Sequence, residues 1–289
     1  MFVSDLLGVA DMLGQPFMRY AFLAGTCIAL ASGVAGYFVV LRGQVFTGDA
    51  LSHVAFTGAL AALAAGIDLR LGLFAAVVGI ALVLGVLGDR GRADDVAVGA
   101  VFAWVLGLGV LFLSLFTSSG SSTNGAAGTN VLFGSIFGFD AAHAWLAAAT
   151  ALAVLAALVA LTRPLLFASI DPLVADAAGV PVRLVGVSFL LLVGVTAGVA
   201  AQAVGALLLL ALIAAPAAAA QRLTVRPFVA MWLAAAIAVG SMWIGLVVSY
   251  RADRVPPSFA ITAALTACYT GAAVWSRLIM RRDDGDPAG

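Results

Sequence analysis

GDALSHVAFTGALAALAAG, Gly48 to Gly66, sets a carboxylate and an imidazole four residues apart at the head of a long apolar run. Outside the pair at Asp49 and His53, the texture of that run repeats along the whole chain. Hydrophobic residues make up 64% of 289 and charged residues only 10%, with a mean hydropathy of +1.15. Soluble domains carry roughly 25% charged residues. Apolar runs near 20 residues recur, and that length crosses a hydrocarbon core about 30 Å thick. So many such runs predict an all-α, polytopic transmembrane bundle rather than a barrel, because a lone helix satisfies its own backbone in lipid.

Nine spans are predicted, at 18–41, 44–66, 71–88, 96–117, 142–162, 184–201, 203–221, 228–249 and 257–278. The sixth and seventh are short and nearly continuous and read equally as one broken hairpin. Arginine placement orients them. With the N-terminus outside and the C-terminus inside, inner segments hold ten arginines and outer segments four, Arg19, Arg70, Arg251 and Arg254. Residues 1–17 lack the basic start of a signal peptide, and Phe2, Leu6, Val9 and Leu13 recur at helical spacing, so an amphipathic surface helix is expected there. Residues 18–280 form the transmembrane domain, and the polar tail 281–289 is expected to be disordered.

Some chemistry is excluded by composition. All fourteen basic residues are Arg and all fourteen acidic ones are Asp. Without lysine there is no Walker A loop, so ATP hydrolysis through a P-loop of this chain is ruled out. The basic residues are not clustered for nucleic acid. Cys27 and Cys268 lie far apart in apolar spans and read as buried free thiols. Gly25, Ala29 and Gly33, then Gly58, Ala62 and Gly66, then Gly194 and Gly198, form small-residue stripes that let helices approach in lipid.

Asp49 and His53 share one helix face. If the second span starts near Gln44, His53 lies about 13–14 Å in, close to the mid-plane. A carboxylate at such depth costs about 2.5–3.5 kcal/mol even on the lenient insertion scale, and such groups face a bundle interior or a wet path. Carboxylate plus imidazole is a ligand set for Mn, Fe(II) or Zn. One chain offers two ligands, and two chains around a two-fold axis offer four. Two plainer readings stand beside this one: an Asp49–His53 ion pair that locks helices together, and Asp49 as a cap at the helix start. Asp140 and His143 sit at the mouth of the fifth span, where they could form an entry site, although a cap and a solvated imidazole are the simpler reading. In FASIDPLVADAAGVPV, Asp171 suits an N-cap, Pro172 the first helical position, Gly179 the C′ position, and Pro181 a stop. A helix of about two turns on the inner side follows, either an ordinary connector or a docking element for a cytoplasmic partner. Pro216 lies inside the seventh span and kinks it.

Taken together, GDALSH with its small-residue run (48–66), NVLFGSIFG (130–138), DPLVADAAGVPV (171–182) and VGALLLLALIAAPAAAAQRL (204–223) resemble the ABC-3 family of metal-ion permeases, over most of residues 18–280 and in the same order. The resemblance implies a fold like the type II ATP-binding-cassette importers, in a homodimer served by two cytoplasmic ATPase subunits and an extracytoplasmic metal-binding protein, in a bacterial cell membrane. It implies a transport subunit, not an enzyme, with no permanently bound cofactor. The cargo is a divalent ion of manganese, zinc or iron, and ATP is used by the partner. Asp49 and His53 would coordinate the ion. Asp171, Pro172, Ala175, Gly179 and Pro181 would form the helix that couples to the ATPase, near 172–178. In YRADRVPPSFAIT (250–262) two arginines replace the family's usual Pro/Ser/Gly-rich turn, on the side where the binding protein docks. The rivals are an importer of metal chelates or vitamins with the same architecture, an intramembrane protease using Ser52 with His143, and a secondary transporter without an ATPase.

Overall fold

A computed structural model describes residues 12, 14–88, 93–118, 134–206, 209–252 and 254–283. The surface helix expected over 1–17 falls almost wholly outside these residues, as do most of the loop 118–141 and the last six residues. Among the described residues there are no strands. Nine long helices and one short one follow in order: α1 (Pro16–Leu41), α2 (Val45–Ala64), α3 (Leu69–Leu87), α4 (Asp95–Ser118), α5 (Ala141–Ile170), α6 (Pro172–Ala177), α7 (Val182–Val204), α8 (Leu209–Leu223), α9 (Pro227–Arg251) and α10 (Pro257–Asp283). A short 3₁₀ turn, Ile136–Gly138, precedes α5.

The nine long helices match the nine predicted spans in order. Seven of them, all but α2 and α8, are long and apolar enough to cross a membrane on their own, so a count of nine is approximate. The two exceptions have physical causes. Asp49, His53 and several hydroxyls dilute the apolar character of α2. α8 has 15 residues, about 22 Å, which is short of a 30 Å core. The sixth and seventh spans are two helices, not one, because Gly205 breaks the chain after α7 at φ +93.

α1 is the central helix and is buried along nearly its whole length. Small residues make that possible. A Cβ on Gly33 would stand 2.6 Å from the Cα of Ala235 in α9. The other stripes also meet neighbours: Gly58 approaches the Gly72 carbonyl of α3, and Gly194 and Gly198 face Val77 and Leu73. Gly66 does not belong to its stripe. It lies past the end of α2 at φ +70 with no neighbour near it. A Gly58→Leu substitution is expected to lower stability by about 1–3 kcal/mol through overpacking. Thermal unfolding in detergent reads this directly, and an unchanged midpoint would mean that α2 and α3 are not in contact.

α5 runs on for 30 residues through Pro164 to Ile170, eight beyond the span expected from sequence. α10 continues to Asp283, past the boundary expected at 280. Cys27 is buried as expected, but Cys268 is exposed, because α10 turns that face outward from the single chain.

Candidate metal path and coupling element

α2 begins at Val45 with Gln44 in the N-cap position, and no side chain caps it. Asp49 therefore sits in the second turn and does not cap the helix. Nor does Asp49 pair with His53, since neither side chain has a hydrogen bond or ion pair among the described residues. Both plainer readings of the pair fail on this geometry.

Burial along α2 distinguishes its faces. Thr47, Gly48, Ala50, Leu51, Ser52, Val54, Ala55, Thr57 and Gly58 are all buried. Phe46 is exposed, and Asp49, His53 and Phe56 are half-buried. These four recur every three or four residues and form one open stripe. Carboxylate and imidazole thus lie side by side on the uncovered face, flanked by two phenylalanines. α4 borders the stripe. Phe102 meets the His53 ring edge-on at 5.2 Å and the Phe46 ring at 5.5 Å. Thr57 fastens the two helices by donating to the Val105 carbonyl at 3.1 Å. No group of three or more His, Cys, Asp or Glu side chains gathers among the described residues, so a complete coordination shell needs donors from elsewhere.

The protease rival lacks its parts. The Ser52 hydroxyl is buried and donates to the Asp49 carbonyl at 2.7 Å. His143 is engaged with Asp140: the Asp140 carboxylate accepts the His143 backbone N–H at 2.7 Å and pairs with ring Nδ1. Asp140 is the N-cap of α5, the role its position suggested.

The connector after α5 is built as its residues dictate. Asp171 caps α6 by accepting from the Leu173 and Val174 N–H groups, both at 3.0 Å. Pro172 opens the helix, where a missing N–H costs nothing. At the other end, Val180 N–H reaches the Ala175 carbonyl at 3.0 Å and Gly179 N–H reaches Asp176 at 2.9 Å, the paired closure of a Schellman motif. Gly179 takes φ +84 to make it. Ala175 is fully buried against Ala168 and Val182, and Pro181 is the N-cap residue of α7. Leu173 and Val174 point away, 60% and 53% exposed. The Arg183 guanidinium ties this corner to α3 by donating to the Val86 carbonyl at 3.1 Å. Asp171→Ala should loosen α6 by about 1 kcal/mol. Faster amide exchange at Leu173 and Val174, with the rest of the bundle unchanged, is the expected readout.

Pro216 is buried within α8, where it deprives the Leu212 carbonyl of its helical donor. Two buried polar residues escaped the sequence reading. Gln44 and Thr47, at the corner between α1 and α2, bury side-chain atoms without a hydrogen-bond partner among the described residues. The only sequence signal for them was the polar RGQVFT start of the span.

The model of the ABC 3 transport family matches residues 14–276. The manganese transport system membrane protein MntC of Halalkalibacterium halodurans is 29% identical over 64% of this chain and 62% of its own length. The chain therefore spans less than two thirds of that relative. A Haemophilus influenzae protein named "Probable iron transport system membrane protein" is 28% identical over 84% of this chain and 89% of its own. Among solved structures, PsaBC from Streptococcus pneumoniae in complex with Fab superposes with a TM-score of 0.79, at 22% identity, over 92% of this chain and 95% of that one. At that identity the match speaks for the fold.

Proposed function

The chain belongs to the ABC 3 transport family, and from that premise we propose that it is the permease subunit of an ATP-driven importer of bare divalent transition-metal ions: manganese, zinc or iron. The observation that carries the reading is the open stripe of α2. It displays Asp49 and His53, half-buried, on the face of α2 that its neighbours in the chain cover least. A carboxylate facing hydrocarbon is costly. A second copy across a two-fold axis removes that cost and supplies two more ligands. The metal relatives agree in kind, being named for manganese and iron. A chelate or vitamin needs a wide apolar vestibule and no fixed ligands, which is a poor match to this stripe.

The end of the bundle that carries α6 faces the cytoplasm. Arg42, Arg163, Arg183, Arg222 and Arg226 lie toward that end, as the positive-inside rule requires. α6 offers its exposed Leu173 and Val174 to a groove of a separate ATPase. The chain has no lysine to make a phosphate loop of its own. A metal-binding protein docks on the outer face and releases its ion into the dimer axis. Asp49 and His53 receive it, and ATP-driven closure of the partner subunits moves α6 and opens the inner side.

The test is uptake of manganese, zinc and iron into proteoliposomes holding the permease and its ATPase. ATP-dependent accumulation of at least one is expected, and transport of a chelate but of no bare ion would reverse the assignment.

A further inference from the structure

The His53 imidazole lacks the support that metal-bound histidines ordinarily have. Such a ring usually donates its second N–H to a carboxylate, a carbonyl or water, and that bond fixes its orientation. Among the described residues no group hydrogen-bonds to the His53 side chain. What it has instead is an aromatic neighbour on another helix. The Phe102 ring lies 5.2 Å away at an interplanar angle of 66°, an edge-to-face arrangement.

Phe102 is itself held in place. Val98, Phe102, Val105 and Gly109 recur every three or four residues along α4 and form the face that it turns to the bundle. Val98, Val105 and Gly109 are buried, and Phe102 is half-buried against the core. One turn beyond Phe102, α4 is fastened to α2. Thr57 donates to the Val105 carbonyl there, and a Cβ on Gly109 would stand 2.9 Å from the Thr57 hydroxyl. On its other flank the Phe102 ring meets Phe46 at 5.5 Å and 79°. Phe46 and His53 are two turns apart on α2, a rise of about 10.5 Å. A ring in contact with both lies between them, at the level of Asp49.

We propose that Phe102 is a positioning residue of the metal path: its ring holds the His53 imidazole on the open stripe of α2 without engaging either ring nitrogen. The proposal deepens, and rests on, the reading of Asp49 and His53 as ligands. A carboxylate behind the imidazole would make it a more basic ligand. An aromatic wall restricts the turning of the ring and adds no charge. That suits a station on a transport path, which must release its ion as readily as it takes it. Without the wall, binding an ion would also have to immobilise a freely turning side chain.

Manganese binding to the purified full-length permease, titrated by the loss of the free-ion EPR signal, tests this role. Phe102→Leu, which keeps apolar bulk but no ring, should weaken binding about threefold to tenfold. Phe102→Tyr, which keeps the ring, should bind as the unaltered chain does. In a His53→Ala background Phe102→Leu should cost nothing further, because the two residues act as one unit. The chain has two histidines, His53 and His143, so isotopic labelling of histidine gives two ring signals by NMR. Phe102→Leu should shift the His53 signal and leave the His143 signal in place. Unchanged binding in Phe102→Leu, an equal loss in the His53→Ala background, or an unmoved His53 signal each overturns the proposal. Failure of the underlying reading looks different. Binding that His53→Ala leaves unchanged, with the His53 signal still shifted by Phe102→Leu, would show that His53 is no ligand, and the role of Phe102 would fall with it.

Discussion

Proteoliposomes containing Asp49→Ala or His53→Ala permease are expected to lose metal uptake by about 100-fold or more, while the protein folds as well as the unaltered chain. Losing even a supporting partner of a metal ligand typically costs 10–100-fold in affinity or activity, and a direct ligand should cost at least as much. The second half of the expectation is the sharper one. Neither side chain bonds to a described residue, so truncation orphans no buried partner. Equal yield and thermal stability should therefore accompany the loss of uptake. A fall in stability parallel to the fall in uptake would mean that the pair holds the bundle together.

The second large effect is expected at α6. Leu173→Asp and Val174→Asp place a charge on an exposed apolar surface at the end of the bundle. Nothing inside the chain is disturbed, because the buried anchor of α6 is Ala175. If these residues fill a groove of the ATPase, each change should cost 2 kcal/mol or more, as at other interface hot spots. That is about a 30-fold weaker association at 1.36 kcal/mol per tenfold. Co-purification of the ATPase and ATP-dependent uptake should fall together, with manganese binding to the permease retained. Unchanged assembly of both variants would leave α6 a mere connector.

Much of this was legible in the sequence, for reasons that differ by element. Span positions follow from hydropathy, a property of each segment by itself. The caps of α6 were legible because capping is local: Asp171, Pro172, Gly179 and Pro181 act within a few residues of one another. What escaped depends on distant partners. Nothing near His53 in the chain announces Phe102, which belongs to a different helix and meets the imidazole only through packing. The true end of α5 was hidden because Pro164 reads as a breaker, yet the helix continues through it with neighbours on α6 and α7. Exposure of Cys268 depends on how α10 is turned, which hydropathy does not report.

The unbroken length of α5 has a mechanical consequence. Its 30 residues make a rod about 45 Å long, with Asp140 and His143 at one tip and the Asp171 cap at the other. A tilt of about 5° about its midpoint would swing each tip through about 2 Å in opposite directions. If an ATPase docks at the α6 corner, a torque applied there would reach the far rim through this single helix.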